Sequence, residues 1–268
     1  MAQRSLLYGL LLVAFFIPAT SPMADSPSPF TVGERLVYKV EWDPPWYMFF
    51  LPSMEAGEVE VLLAETTRHK NRKALKIIFK ARSSGRLMRM AGMKIDDEFV
   101  LLTDPDTFCT MTVSEKIREG KRKRQVDVEY MPETRQLHIR EVDEAPNPPI
   151  LRRDETKDNI PACVHDPLSA VYLFRKMHLD INHSEIFVVA NDDKIQEVQV
   201  TVEKKENVNV PLGKMTAWKT NTTALKGGLF RAKGDFKLWL SADHRRLPVQ
   251  FEAKVNLGRV VGKIKSVQ

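Results

Sequence analysis

The chain has 268 residues, of which 43% are hydrophobic, enough to bury a large core within one domain. Its 41 basic and 35 acidic side chains give a formal net charge of +6. This modest excess favours contact with anionic surfaces but is too small to indicate a nucleic-acid-binding protein. We therefore predict no nucleic-acid partner.

The first 24 residues have the pattern of a secretory signal peptide. A charged start that ends at Arg4 precedes an apolar run over residues 5–17 and a stretch of small and helix-breaking residues that ends at Ala24. We predict cleavage after Ala24, with Ser21 as the second choice. The apolar run is short for a membrane span, and an uncleaved anchor is the alternative. The mature chain, without a transmembrane span, is then expected in the periplasm or associated with the cell envelope.

Beyond the predicted cleavage site, the chain divides into a short lead-in and one domain. Residues 25–32 are predicted to be a flexible lead-in, and residues 33–268 a single β-rich domain. Within this domain, a Pro-rich stretch with a charged run over residues 145–161 indicates a linker or a long excursion.

Most of this domain alternates between apolar and polar residues with the period of two that is typical of β-strands. The pattern is clearest near the C-terminus, where strands over residues 236–240 and 249–257 flank a polar turn. Strands are also predicted over residues 33–42, 56–65, 74–82, 97–102, 107–117, 123–130, 136–142, 185–190, 195–202, 214–223 and 259–267. We predict a mainly β fold, in which an antiparallel curled sheet forms a closed or half-open barrel.

One main helix is predicted over about residues 166–177. Asp166 suits the N-cap, Pro167 suits the first helical position, and apolar residues recur at helical spacing from Leu168 onward. The apolar face of this helix should lie on the sheet or plug one end of the barrel. A short second helix is predicted over about residues 84–91.

Cys109 and Cys163 are the two cysteines of the chain. Because paired cysteines of exported proteins usually oxidise, we predict a disulfide between them. The alternative is a reactive thiol with His165 nearby. Two cysteines this far apart, without a second Cys-x-x-Cys, give little indication of a zinc site.

The sequence shows no motif of a known catalytic site. It lacks a Gly-rich phosphate loop, a Gly-x-Ser-x-Gly elbow and a His-Glu-x-x-His helix, and its histidines are scattered. His165 and Asp166 are adjacent and could form an acid–base pair, but a helix N-cap beside an ordinary histidine explains them better. We predict no catalytic residue, no metal site, no cofactor and no enzymatic activity.

Aromatic side chains are concentrated in a proline-stiffened loop that follows the first strand. The candidate surface, called here the aromatic loop, comprises Trp42, Trp46, Tyr47, Phe49 and Phe50. These rings could line the mouth of a ligand cavity, dip into a membrane interface or meet a protein partner. Alternatively, they fold back to cap the end of the barrel.

A second candidate surface is the basic tip, a cluster of cationic residues on both sides of a turn at Gly120. It comprises Lys116, Arg118, Lys121, Arg122, Lys123 and Arg124. One interpretation is contact with lipid phosphates or other envelope polyanions. The other is a solvated hairpin tip that discourages edge-to-edge pairing of strands.

Four stretches, taken in order, resemble a family of exported bacterial proteins, catalogued as domain of unknown function 3108. They cover residues 32–40, 54–58, 166–175 and 239–249. The resemblance implies a β-rich periplasmic or envelope protein and brings no catalytic residues with it. The aromatic segment over residues 44–52 and the two cysteines are additions to the family pattern.

These observations give two main functional hypotheses. The first is a non-catalytic envelope protein that binds an apolar or lipid-like ligand in a barrel-like cavity. The second is a structural or protein-interaction module whose aromatic loop and basic tip contact an envelope protein. An enzyme whose site is assembled only in three dimensions ranks third.

Overall fold

The computed structural model describes residues 28–48, 50–84, 94–191, 194–223, 236–255 and 258–268. Within these ranges the chain forms fourteen β-strands and one α-helix. The predicted signal peptide and nearly all of the predicted short helix at 84–91 lie outside the described residues. No helix in the described part of the chain has the length and apolar character needed to cross a bilayer.

The strands follow the predicted order closely. They are β1 (Arg35–Asp43), β2 (Met54–His69), β3 (Arg72–Ser83), β4 (Asp96–Thr103), β5 (Thr110–Glu119), β6 (Arg122–Met131), β7 (Gln136–Asp143), β8 (Ile150–Lys157), β9 (Ser184–Asn191), β10 (Lys194–Val210), β11 (Gly213–Thr223), β12 (Phe236–Ser241), β13 (Pro248–Lys254) and β14 (Arg259–Val267). The helix α1 (Pro167–Lys176) lies between β8 and β9 in the chain, and a 3-10 turn covers Trp46–Met48.

All fourteen strands belong to one antiparallel sheet. Its order is β8-β7-β6-β5-β4-β3-β2-β1-β14-β13-β12-β11-β10-β9, so the first and last strands of the chain pair at the centre. Among the described strands, β8 and β9 are the edges, and no ladder joins them. The prediction of a mainly β, barrel-like sheet is confirmed, in the half-open form.

The alternating pattern places one row of apolar side chains on the inner face of the curled sheet. On β1, Tyr38 lies opposite Val59 of β2 and Ile264 of β14, and all three are buried. The same phase continues through the neighbouring strands, because a period of two keeps alternate residues on one face. The main hydrophobic core therefore runs along the inside of the sheet.

The predicted main helix is confirmed, together with its cap. Asp166 accepts a hydrogen bond from the backbone N–H of Leu168 at 2.8 Å, and Pro167 is the first helical residue. Tyr172 and Phe174 are buried on the inner face of α1. Because Arg175 of α1 contacts Glu34, which precedes β1, the helix lies at the end of the sheet where β1 begins. We call this the helix end, and the opposite end, where β1 finishes at Asp43, the rim.

The predicted disulfide is present. Cys109 and Cys163 are bonded across 54 residues of sequence, so neither sulfur is the free thiol of the alternative interpretation. The bond joins the start of β5 to the segment that leads into α1. Next to it, the N–H of Thr110 donates to the carbonyl of Val164 at 2.8 Å. The disulfide therefore fixes the segment that leads into α1 at the helix end of the sheet.

Two features of the sheet differ from the sequence prediction. The expected excursion over residues 145–161 contains the edge strand β8, which pairs with β7. The side chains of β8 are mostly exposed on both faces of the sheet. The strand is therefore held by its backbone pairing with β7 and shows no alternation of apolar and polar residues. β10 extends to Val210 instead of ending near residue 202, and its charged middle section is likewise exposed.

Candidate functional site

The curled sheet encloses a cavity of about 730 Å³. This volume is within the roughly 300–1,000 Å³ that is usual for small-molecule sites. Most of its wall is aliphatic or aromatic. The apolar lining includes Leu36, Tyr38, Val40, Val59, Val61, Phe79, Phe99, Ile117, Val126, Val198, Val200, Leu238, Phe251, Ala253 and Val260.

The helix α1 forms the floor of the cavity at the helix end. Leu168, Val171, Tyr172 and Phe174 all line the cavity from this helix. The Tyr172 ring stacks parallel to Phe108, with centroids 6.4 Å apart, and Phe108 is fully buried beneath it. The floor is thus a packed aromatic layer without a charged group that faces the cavity.

Charged side chains line the cavity at the opposite end, near the rim. They are Asp97, Glu115, Glu119, Arg122, Arg124, Glu141 and Lys194. Most of them lie close to the strand ends that are far from α1, since β4, β6 and β10 begin there and β5 and β7 finish there, whereas Glu115 lies near the middle of β5. The cavity is therefore amphipathic along its length, apolar at the helix end and polar at the rim.

Two arginines of β6 dominate the polar part. Arg122 pairs with Glu119 at 2.8 Å, and Arg124 pairs with Glu141 of β7. Each guanidinium nevertheless keeps a buried nitrogen, Nη2 of Arg122 and Nε of Arg124, that has no hydrogen-bond partner in the described part of the chain. Buried donors without partners are costly in an empty site and favour a ligand that carries acceptor oxygens.

Asp97 is a buried carboxyl group on the inner face of β4. Its Oδ1 accepts a hydrogen bond from the backbone N–H of Arg118 at 2.7 Å. Burial raises the pKa of Asp97 above its ordinary value, and the hydrogen bond from Arg118 opposes this effect only in part. Asp97 therefore holds its proton to a higher pH than an exposed aspartate does.

The basic tip is divided between two faces of one hairpin. Arg122 and Arg124 point into the cavity, whereas Lys116 and Arg118 alternate with inward-facing residues of β5. Arg118 pairs with Glu144, and Lys121 and Lys123 are exposed. The six residues do not form one surface, because strand alternation sends neighbouring side chains in opposite directions.

The aromatic loop leaves the sheet at the rim, directly after β1. Trp46, Tyr47 and Phe50 are 87%, 54% and 69% exposed, so they do not fold back to cap the barrel. Trp42 is part of β1, opposite Met54 and Val260, and Phe49 lies outside the described residues. None of the four described aromatics is part of the cavity wall.

The adjacent His165 and Asp166 are engaged separately. His165 Nδ1 lies 3.0 Å from the carbonyl oxygen of Phe108, and burial lowers the pKa of this histidine. The Asp166 carboxylate accepts the helix-capping hydrogen bond. Across the described residues, no three His, Cys, Asp or Glu side chains are grouped so that they could hold a metal ion.

The sequence analysis identified Arg122 and Arg124 as candidate site residues but did not identify the acidic residues that line the cavity. A signal was available, because Asp97 is in phase with the buried Phe99 and Leu101 along β4. Glu115 is similarly in phase with Val113 and Ile117 along β5. An acidic residue on the apolar face of an alternating strand indicates either a polar site or a strand end. Asp97 fits both descriptions, and Glu115, in the middle of β5, indicates a polar site.

Comparison with known proteins agrees with this architecture. A sequence profile described as "Protein of unknown function (DUF3108)" matches residues 37–265. A search of curated proteins gives no significant match. A solved β-barrel-like protein from Brucella abortus, of domain of unknown function DUF1849, aligns with a TM-score of 0.55 and 10% identity, over 88% of this chain and 97% of its own. That likeness concerns the fold alone.

Two further solved structures align less well. A Bacteroides fragilis protein described as exported, with a YmcC-like fold, has a TM-score of 0.35 and 10% identity, over 90% of this chain and 97% of its own. A protein from Parabacteroides distasonis, described as a lipoprotein, has a TM-score of 0.31 and 11% identity, over 91% of this chain and all of its own. Neither likeness is close enough to support an inference.

Proposed function

The chain belongs to the DUF3108 family of proteins of unknown function, and from the geometry of its cavity we propose that it binds a lipid-like ligand. The observation that carries this proposal is a mainly apolar cavity of about 730 Å³ whose charged side chains lie toward one end. Such a cavity matches an amphipathic molecule with one apolar chain and one polar head. We also propose that the protein acts in the cell envelope, as its signal-peptide pattern predicts.

The proposed ligand lies with its chain toward α1 and its head toward the rim. Aromatic and aliphatic side chains line the helix end, where burial of each methylene group contributes about 0.8 kcal/mol. At the rim, the buried Arg122 Nη2 and Arg124 Nε would donate to acceptor oxygens of the head group. This orientation satisfies both donors and leaves no polar group of the ligand in the apolar half.

We propose binding without catalysis. The arginines that face the cavity are paired with Glu119 and Glu141, and His165, which precedes α1 and is not part of the cavity wall, is held against a backbone carbonyl. Among the described residues that line the cavity there is no serine, cysteine or histidine, so the wall offers no Ser–His or Cys–His pair for covalent catalysis. A bound ligand should therefore be released chemically unchanged.

The proposal is tested by binding of a dansyl-labelled undecanoic acid to the mature protein after delipidation. We expect saturable fluorescence enhancement with one probe per chain, and displacement by unlabelled dodecanoic acid. Native mass spectrometry of the protein before delipidation should show a copurifying species of lipid mass. A delipidated, folded protein that enhances no probe fluorescence and copurifies with no lipid would contradict the proposal.

A further inference from the structure

We propose that the rim of this protein docks on an anionic lipid bilayer, with the aromatic loop entering the membrane interface. This proposal rests on the proposed function, because docking would allow a lipid-like ligand to exchange between the membrane and the cavity. Docking itself can be tested without a ligand in the cavity. Three features of the rim support it: exposed aromatic rings, exposed lysines without acidic partners, and the position of both beside the polar end of the cavity.

The exposed aromatic side chains are held out from the sheet by a stiff loop. The backbone N–H of Met48 donates to the carbonyl of Pro45 at 2.8 Å, and that of Leu51 donates to the carbonyl of Met48 at 2.9 Å. The Trp46 and Tyr47 rings meet edge to face, 6.0 Å apart. Rings that are ordered and exposed in the free protein lose little conformational freedom when they enter a lipid interface.

The base of the loop is fixed to the neighbouring strand. Arg259 pairs with Asp43 at 3.2 Å, and Gly258 passes so close to Asp43 that an added Cβ would lie 2.1 Å from the Asp43 carbonyl oxygen. The loop is thus anchored to β14, whose Val260 lines the cavity. A membrane contact made by Trp46 would therefore bring the rim of the cavity against the same surface.

The charges at the rim favour an anionic partner. Most of the described acidic side chains near the strand ends on this side are engaged by neighbouring cations, and Asp97 accepts a backbone N–H instead. The pairs are Asp43–Arg259, Glu55–Lys39, Asp96–Arg82, Glu119–Arg122, Glu141–Arg124, Asp143–Arg152 and Glu144–Arg118. In contrast, Lys94, Lys121, Lys123 and Lys254 are exposed, and their ammonium groups have no acidic partner within the described ranges. Lysines near an anionic bilayer add binding energy that salt weakens.

The edge strand β8 adds apolar surface on the same side. Ile150 and Leu151 are 42% and 54% exposed, and they begin the strand at the rim, opposite Asp143 and Val142 of β7. Exposed aromatic and aliphatic groups combined with lysines are typical of surfaces that lie in a membrane interface. A lipid-like ligand could then pass between bilayer and cavity without crossing water, which would otherwise oppose the transfer.

The test is cosedimentation of the mature protein with vesicles of phosphatidylcholine alone or mixed with phosphatidylglycerol. We expect binding to the mixed vesicles that weakens at high salt. The double variant Trp46→Ala/Phe50→Ala should lose about tenfold in partition coefficient, because two interfacial anchors are removed. The double variant Lys121→Gln/Lys123→Gln should bind mixed vesicles less than the wild type at low salt. The binding that remains at high salt should be the same in the variant and the wild type.

A matched control uses exposed apolar residues elsewhere on the molecule. Ile181→Ala/Leu212→Ala removes comparable exposed apolar groups outside the rim, and Leu212 lies next to β14 at the helix end. Vesicle binding should be unchanged in this variant. Brominated lipids should quench the tryptophan fluorescence of the wild type, and Trp46→Phe should abolish most of that quenching.

Three results would overturn the docking proposal. The first is equal vesicle binding by the Trp46→Ala/Phe50→Ala variant and the wild type. The second is a loss of vesicle binding in the Ile181→Ala/Leu212→Ala control as large as in that variant. The third is quenching by brominated lipids that persists in Trp46→Phe. Probe binding measured without vesicles separates this proposal from the proposed function. Binding to vesicles but not to the probe would support the docking surface and contradict ligand binding in the cavity. Binding to the probe but not to vesicles would support the cavity and contradict the docking surface.

Discussion

Arg175 of α1 and Glu34, which precedes β1, form a buried bidentate ion pair at the helix end. Nη1 of Arg175 donates to Oε1 of Glu34 at 2.6 Å, and Nη2 donates to Oε2 at 2.9 Å. The side chains are 0% and 3% exposed. Phe30 and Tyr172 flank the guanidinium, with ring centroids 5.0 and 5.1 Å from its carbon.

This ion pair joins three of the four stretches that carry the family resemblance. Glu34 comes from residues 32–40 and Arg175 from residues 166–175. Nη2 of Arg175 also donates to the carbonyl of Arg245 at 3.1 Å, and Nη1 of Arg246 donates to the carbonyl of Arg175 at 2.9 Å. Three stretches of the family pattern therefore meet where one end of the sheet is closed.

Replacement of Arg175 by methionine should destabilise the protein strongly. The substitution leaves the Glu34 carboxylate buried without its partner, which costs about 3–5 kcal/mol in comparable buried pairs. Urea unfolding followed by circular dichroism should show this loss in the free energy of unfolding. The double variant Glu34→Leu/Arg175→Met should recover part of the loss, because no charge remains buried. A single variant as stable as the wild type would contradict the structural role of the pair.

Loss of the disulfide should also lower stability. Cys109 and Cys163 close a loop of 54 residues, for which the chain-entropy relation gives about 4 kcal/mol. Unfolding of the wild type with and without a reductant should differ by about this amount. The double variant Cys109→Ser/Cys163→Ser should match the reduced wild type and should not respond to the reductant. Equal stability with and without the reductant would contradict the prediction.

The sequence predicted the strands and the main helix because each depends on a local pattern, and it predicted the disulfide because an exported chain with two cysteines has one pair to form. Alternation places Leu36, Tyr38 and Val40 on one face, and the Asp166-Pro167 pair begins the helix. Side-chain direction along a strand and capping of a helix depend on a few neighbouring residues, so both can be recognised in the sequence.

The sequence did not predict the features that depend on distant contacts. The edge strand β8 has no apolar face, so only its backbone pairing to β7 defines it. The pairing of Arg124 with Glu141 and the placement of both in the cavity require the register of three strands. The cavity itself depends on how far the sheet curls, a property that the period of two does not encode.

Asp97→Asn should change the pH dependence of stability in a defined direction. Because burial raises the pKa of Asp97 in the folded state, the folded protein binds more protons at this site than the unfolded chain does. The free energy of unfolding of the wild type therefore falls as pH rises from the unfolded carboxyl pKa, about 3.9, through the raised folded value. Asparagine keeps an acceptor for the N–H of Arg118 and does not titrate.

The prediction for Asp97 is measured by urea unfolding at several pH values between 3 and 7. The free energy of unfolding of Asp97→Asn minus that of the wild type should be lowest at acidic pH and should increase toward neutral pH. Asp96→Asn is the matched control, since Asp96 is its exposed neighbour and pairs with Arg82 at 3.0 Å. A constant difference across the pH range for Asp97→Asn would mean that this carboxyl group is not perturbed by burial.

Gly57→Ala should disrupt the pairing of β2 with β3. Gly57 lies in the second stretch of the family resemblance, residues 54–58, and an added Cβ would lie 2.1 Å from the carbonyl oxygen of Arg82. Because this neighbour is backbone, the two strands must separate, at a cost of about 3 kcal/mol. Glu58→Ala, at the adjacent exposed position, should change stability by less than about 0.5 kcal/mol. Thermal unfolding of both variants tests the difference.

Filling the cavity should abolish binding of the dansyl probe without unfolding the protein. Ala253 is buried on β13 and lines the cavity, and its neighbour Lys254 is exposed. In Ala253→Phe the added ring occupies space that the apolar chain of a ligand would need, so probe affinity should fall by about tenfold or more. Lys254→Phe adds the same ring outside the cavity and should bind as the wild type does.

The same pair of variants distinguishes cavity binding from adsorption to the exposed aromatic surface. A probe that adsorbs near Trp46 would bind Ala253→Phe and the wild type equally, and would be lost in Trp46→Ala/Phe50→Ala. A probe in the cavity gives the opposite pattern, since none of the described aromatics of the loop lines the cavity wall. Circular dichroism of each variant should match the wild type, so that loss of binding reports the occupied space and not loss of the fold. Equal affinities in all variants would exclude both sites for this ligand class.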